Sequence, residues 1–162
     1  MAVEPASSLK PIQVKNEDVA YSGIEDRGQK KGEFTLFKLE SQLPEGKQRV
    51  VESLAKSDIS WAILHTIKHG GENQLHAHRA EDATWLALEG EVTFYGHDHQ
   101  EVARLNAREG LFIPRGTPYY FRSTGEETAV IMRVSAKATD VPNERLDYEH
   151  ASNPNRSART AE

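Results

Sequence analysis

The stretch that decides the reading is GGENQLHAHRAEDATWLALEG, residues 70–90. It opens on a glycine pair, carries His76-Ala77-His78, and closes on Gly90 after an alternating run. In an extended strand, residues two apart point to the same face. His76 and His78 therefore project together, and Gln74 shares their face. Paired neutral imidazoles suit Zn, Fe, Cu or Ni; two histidines on a surface loop or in a satisfied core are the plainer alternatives. Beyond them, Ala83, Trp85 and Ala87 line one face. The small alanines thin the wall beside the indole, giving a pocket with an aromatic side or simply a packed core.

Outward from this stretch the chain reads as short strand-like runs cut by turn residues. Phe34–Leu39, Ile59–Lys68, Gln74–His78, Ala83–Glu89, Val92–Tyr95, Glu101–Leu105, Leu111–Ile113, Tyr119–Ser123 and Thr128–Ser135 are the runs. Gln48–Lys56 fits a strand or a short helix. The breakers are Gly70-Gly71, Gly90, Gly96, the Pro114–Pro118 turn and Gly125. Such spacing predicts an all-β sandwich or barrel over residues 34–135. No amphipathic helices alternate with the strands, which argues against a parallel βαβ sheet. Residues 1–33 form a polar N-terminal extension and residues 136–162 a polar C-terminal tail.

In context, Gly70–Gly90 resembles the first motif of the cupin superfamily, G-x(5)-H-x-H-x(3,4)-E-x(6)-G. Gly70, His76, His78 and Gly90 fall in register. Pro114 and Gly116 match part of the second motif, G-x(5)-P-x-G-x(2)-H-x(3)-N. The resemblance covers about the middle hundred residues. It implies a double-stranded β-helix, or jelly roll, whose interior holds a ligand or metal, and a homodimer in which Phe34–Leu39 is a candidate for pairing across the interface.

The departures matter as much. The family's ligand Glu falls on Ala83, its second-motif His on Tyr119, its Asn on Ser123 and its leading Gly on Arg108. Two of the usual ligands are thus replaced, which argues against a standard oxygen-activating iron site. Three readings follow. A divalent metal (Zn, Fe, Ni, Mn or Cu) is held by His76 and His78 with Gln74, Glu81, Asp82 or Tyr119 as further ligands. Alternatively, the cavity runs metal-free acid/base chemistry through Tyr119 and a histidine. Otherwise it is a binding pocket. Strand parity turns Asp82 outward unless the chain is still in a loop there.

Tyr119 and Phe121 share one face of their run, which the cupin register places inside. In the late strand, Val130, Met132 and Val134 alternate with Ile131 and Arg133, and one set lines the cavity. An inward Arg133 would pair with an anionic ligand. Candidate pocket residues are therefore Gln74, Trp85, Phe121, Met132 and Arg133. His65 shares a face with Trp61 and Ile63 and reads as a hydrogen-bonded core or interface histidine. His97-Asp98-His99 reads as a solvated turn.

Composition bounds the function. The 162 residues carry 20 Lys and Arg against 25 Asp and Glu, a net charge of −5. This balance opposes nucleic-acid or basic membrane-surface binding. There is no cysteine, so a disulfide framework, thiolate zinc site, iron–sulfur cluster or Cys nucleophile is excluded. The longest apolar runs, such as Trp61–Leu64, are far short of the roughly 18 residues of a membrane helix. Residues 1–10 lack a secretory signal pattern, so a cytoplasmic protein is expected. The resemblance implies dioxygenase, isomerase, lyase or cyclase chemistry on a carbonyl-, enol- or phenol-bearing small molecule, or else non-catalytic sensing of a small ligand.

Overall fold

The computed structural model describes residues 12, 19–22, 34–40 and 42–148. They form two facing sheets. One has the order β1 (Val19–Ser22), β2 (Arg49–Lys56), β3 (Ser60–Ile67), β10 (Ala129–Lys137), β5 (Glu81–Glu89) and β8 (Gly110–Ile113). The other has the order β11 (Arg145–Asp147), β4 (His76–His78), β9 (Tyr119–Ser123), β6 (Val92–Gly96) and β7 (Glu101–Leu105). All pairings are antiparallel except that of β1 with β2. This is the all-β double-stranded β-helix that the turn spacing and the two motifs imply. Among the described residues no helix is long and apolar enough to cross a membrane.

The core sits between the sheets because each central strand alternates. In β5, Glu81, Ala83, Trp85 and Ala87 are buried while Thr84 and Glu89 are exposed. In β10, Ile131, Arg133 and Ser135 are buried and Val134 is exposed. Trp85, Phe94, Tyr119 and Phe121 pack as an aromatic centre, with Trp85–Phe121 ring centroids 5.2 Å apart at 64°. Tilted and edge contacts of this kind add to the area buried.

Two segments differ from the sequence reading, and a third, left open, is decided. Phe34–Leu39 is not a strand; residues 34–40 carry no regular structure, and Phe34 and Leu36 are fully exposed. The free edge of β2, which such a strand would extend, is taken by Val19–Ser22. Gln48–Lys56, open between two readings, is strand from Arg49 onward. The sheets also take in Arg145–Asp147, beyond the 34–135 span, through pairing with β4. Residues 149–162 lie outside the described residues.

Gly90 turns the chain from β5 into β6 with φ +68°, and a Cβ there would stand 2.9 Å from the Ala129 Cα and the Thr128 carbonyl oxygen. Gly70 has φ +75° but open space around its Cα. Gly70→Ala should therefore cost only the left-handed backbone strain, about 1–2 kcal/mol. Gly90→Ala adds a clash with rigid backbone and should cost more than that strain alone. Denaturant unfolding of the two variants checks this: equal losses would mean that the contact at Gly90 relaxes freely.

Candidate functional site

The site is built where β4 meets β9. Their register sets His76 directly opposite Tyr119. The two rings lie 4.6 Å apart, and the His78 ring is 5.0 Å from that of His76. Strand parity puts His76 and His78 on one face, the family resemblance implies that Tyr119 faces inward, and the pairing of β4 with β9 brings the three together. His76 Nδ1 lies 2.7 Å from the Gln74 carbonyl oxygen. A carbonyl only accepts, so Nδ1 carries the proton and, in the neutral ring, Nε2 carries the lone pair. Asn73 fixes the loop before β4: its Oδ1 accepts from the Phe121 N–H at 2.7 Å.

Of the remaining candidates, Gln74 is buried but its side-chain amide donates to the Tyr148 carbonyl. Arg133 faces inward at 3% exposure, its guanidinium carbon 5.9 Å from the centre of the Trp85 ring. Met132 therefore lies on the opposite face of β10 and does not line the interior; strand alternation cannot turn both inward. Asp82 also points away, its Oδ1 accepting from the Arg115 N–H at 2.8 Å. Glu81, two residues before Ala83 and on the same face, is buried. Its Oε2 accepts from Arg133 Nη2, and its Oε1 accepts from Asn143 Nδ2 at 2.7 Å. His78 Nδ1 is 3.9 Å from the same carboxylate.

Asn143 was missed by the sequence reading. It lies in the stretch assigned to the tail and has no local signal; only the return of the chain along β4 brings it to Glu81. His65 is deeper in the barrel than a satisfied core histidine. It sits 5.2 Å from the Trp85 ring, and neither of its ring nitrogens has a hydrogen-bond partner among the described residues. The Trp85 indole N–H, the Tyr119 hydroxyl and Arg133 Nε are also buried without a hydrogen bond of good geometry. Each such group costs about 1–3 kcal/mol when left unmatched. Their convergence on one interior makes it the candidate site for a polar guest.

A cleft of about 430 Å³ borders the interior at one end and shares the inward residues Glu81 and Ser135 with it. Trp61, Glu81, Ser135 and Lys137 line it from the strands, with Lys56 and Asn143 at the rim. Glu81 thus belongs to both the cleft and the histidine cluster.

The donor set can be tested against a metal. Glu81 is committed to Arg133 and Asn143, Gln74 to Tyr148, and Asp82 points outward. Among the described residues no group of three or more His, Asp or Glu side chains is placed to hold an ion. The residues present therefore do not fit the histidine–glutamate centre that the family resemblance implies; Tyr119, the remaining candidate donor, is a phenol that burial keeps protonated. His76 and His78 remain as two donors without the carboxylate that would complete the set.

Residues 63–135 match the cupin domain family. The barrel has the cupin fold. Solved structures agree on the cupin fold. A double-stranded β-helix protein from Klebsiella pneumoniae superposes with TM-score 0.58 at 17% identity, over 66% of this chain and 90% of that one. An RmlC-like cupin from Desulfovibrio desulfuricans gives 0.55 at 23%, over 64% and 96%. The polyketide cyclase RemF from Streptomyces resistomycificus gives 0.55 at 18%, over 70% and 80%. No curated protein matches the chain.

Electrostatics of this cupin site follow from burial. Burial, then the charges of Arg49 and Arg133, hold His65 well below the ordinary imidazole range. Burial, then Arg145, does the same for His76. Burial, then Arg133, brings His78 down to about 3; the Glu81 charge that would oppose this is already matched by Arg133. Burial pushes the Tyr119 phenol up, against the pull of Arg133 and Arg145. Burial raises Glu81, but the charges of Arg133 and His78 and the hydrogen bonds from Arg133 and Asn143 together hold the carboxyl below its usual value.

The stability consequence has a definite sign. A histidine whose folded pKa lies below its unfolded value of about 6.5 binds fewer protons when folded, so stability is full above that value and falls as pH drops. For His78 the window runs from about 6.5 down to about 3. Melting temperature should fall steadily from pH 7 to pH 4, and His78→Gln should flatten the slope. A wild-type profile that is level across this window would contradict the buried neutral imidazoles.

Proposed function

We propose that this cupin barrel is a small-molecule enzyme that moves protons next to a carbonyl or enol without needing a protein-held metal. The observation that carries the reading is the His76–Tyr119 pair: a neutral imidazole with its lone pair on Nε2, 4.6 Å ring to ring from a neutral phenol whose hydroxyl has no hydrogen bond of good geometry among the described residues. One member is a base and the other a donor, and both protonation states hold at neutral pH. His76 Nε2 takes a proton from the carbon beside the carbonyl. The electron pair moves onto the carbonyl oxygen, where the Tyr119 hydroxyl donates a hydrogen bond to the developing charge. Return of the proton to a different carbon gives isomerase chemistry, expulsion of a leaving group from the adjacent carbon gives lyase chemistry, and attack of the enolate carbon on a second carbonyl of the same molecule, whose oxygen takes up the proton, gives cyclase chemistry. Trp85 and Phe121 supply the apolar walls, and His78, next to Glu81, orients the polar end.

One neighbour of the same fold is a polyketide cyclase, which is compatible with this chemistry. At 18% identity it supports the barrel, and the residues support the reaction. The net charge of −5 favours a small-molecule partner over nucleic acid. A cytoplasmic homodimer completes the proposal.

Proton exchange at the carbon beside the carbonyl of β-tetralone in heavy water, followed by NMR, tests the reading. The full chain should accelerate exchange, and both His76→Ala and Tyr119→Phe should lower the rate, His76→Ala by about 10²–10⁴-fold. Chelator treatment should leave the wild-type rate intact. Loss of the rate on chelation with recovery on adding a divalent metal would replace this mechanism by a metal-assisted one. Unchanged binding of the ketone by protein that does not accelerate exchange would favour a binding module.

A further inference from the structure

The cleft that opens the barrel has a charge pattern the proton-transfer reading does not use. Trp61 closes one side. Its indole N–H is spent on Ser53 Oγ at 2.9 Å, so it presents a ring face. Lys56 Nζ sits 4.8 Å from the centre of that ring, and Lys137 lines the same cleft, paired in register with Glu81. Neither lysine has an ion-pair partner among the described residues. The Glu81 carboxylate at the floor is already matched by Arg133 and Asn143 and does not answer them. Asp58, on the exposed turn, is the one other acid of the lining and is outnumbered.

We infer that the mouth of the barrel is an anion-selective subsite and that the ligand is a flat small molecule bearing a carboxylate. Its ring lies on Trp61, its carboxylate stays between Lys56 and Lys137, and its far end reaches the polar interior. The cleft volume of about 430 Å³ is that of a small-ligand pocket. Keeping the charge at the rim avoids the cost of burying it among apolar walls. This inference rests on the barrel interior being the ligand site, and it concerns affinity rather than rate.

Titration of the full chain with salicylate and with its neutral isostere salicylamide tests it, read by calorimetry and ligand-observed NMR. Salicylate should bind about five- to tenfold more tightly at low salt. The preference should shrink as salt rises. It should vanish in Lys56→Gln/Lys137→Gln, whose exposed positions leave the fold intact, and Trp61→Leu should weaken both probes. His76→Ala should keep the preference while losing proton exchange, which separates failure of this inference from failure of the proton-transfer mechanism. Equal affinity for the two probes, a preference that survives in the double lysine variant, or no binding of either probe would overturn it.

Discussion

The site depends on one buried ion pair. Glu81 on β5 and Arg133 on β10 are both nearly inaccessible; they stand on the inner face of adjacent strands, offset by four residues in register, and their side chains reach each other. Desolvating two charges is expensive, and removing one partner of such a pair typically costs about 3–5 kcal/mol because the other is left uncompensated. The pair therefore depends on further partners, although Arg133 Nε stays buried without a hydrogen bond of good geometry among the described residues. Asn143 serves the second carboxylate oxygen, and the Trp85 ring face lies against the guanidinium. Everything in the mouth of the barrel is arranged around this contact. It commits the one inward carboxylate near the imidazoles, and it places a fixed positive charge beside His78 that keeps that ring neutral.

Much of this was legible in the sequence, for reasons that particular residues make plain. Alternation placed His76 with His78 and Trp85 with Ala83 and Ala87; burial in β5 obeys it, whereas β4 is covered on both faces, with Ala77 buried and His78 half-buried. The register that sets Tyr119 opposite His76 was implied by the resemblance rather than by local pattern. Parity alone left the late strand undecided, because Ile131–Arg133 and Val130–Met132 offer a large apolar residue on either face. Tertiary context decides it: Arg133 is the strand neighbour of Trp85 and the partner of Glu81. The same parity that turned Asp82 outward placed Glu81 inward, so the carboxylate was visible but its commitment to Arg133 was not.

The misreadings have a common cause. Phe34–Leu39 has strand composition, yet a strand exists only where an edge is available, and β1 occupies that edge. Arg145–Asp147 has weak strand composition, yet it pairs because β4 is short and needs a neighbour. Tyr148 then anchors the segment, its N–H donating to the Leu75 carbonyl at 2.8 Å. In both cases hydrogen-bonding demand from the existing sheet outweighs local propensity.

The two departures from the family motif have a joint electrostatic meaning. With Ala83 in place of a carboxylate, the nearest acid on that face is Glu81, one rung closer to the mouth. With Tyr119 in place of a histidine, the residue opposite His76 is a phenol that burial keeps protonated. A centre built to hold a cation needs unmatched carboxylate and imidazole lone pairs. Here the carboxylate is matched by an arginine, and one imidazole is replaced by a hydrogen-bond donor. The inner rungs are therefore close to electrically balanced and hold groups that move or donate protons, while uncompensated positive charge sits on the lysines of the rim. A charged ligand entering such a barrel gains most by leaving its anion at the mouth and sending only its neutral, reactive end inward, because the cost of desolvation grows with depth.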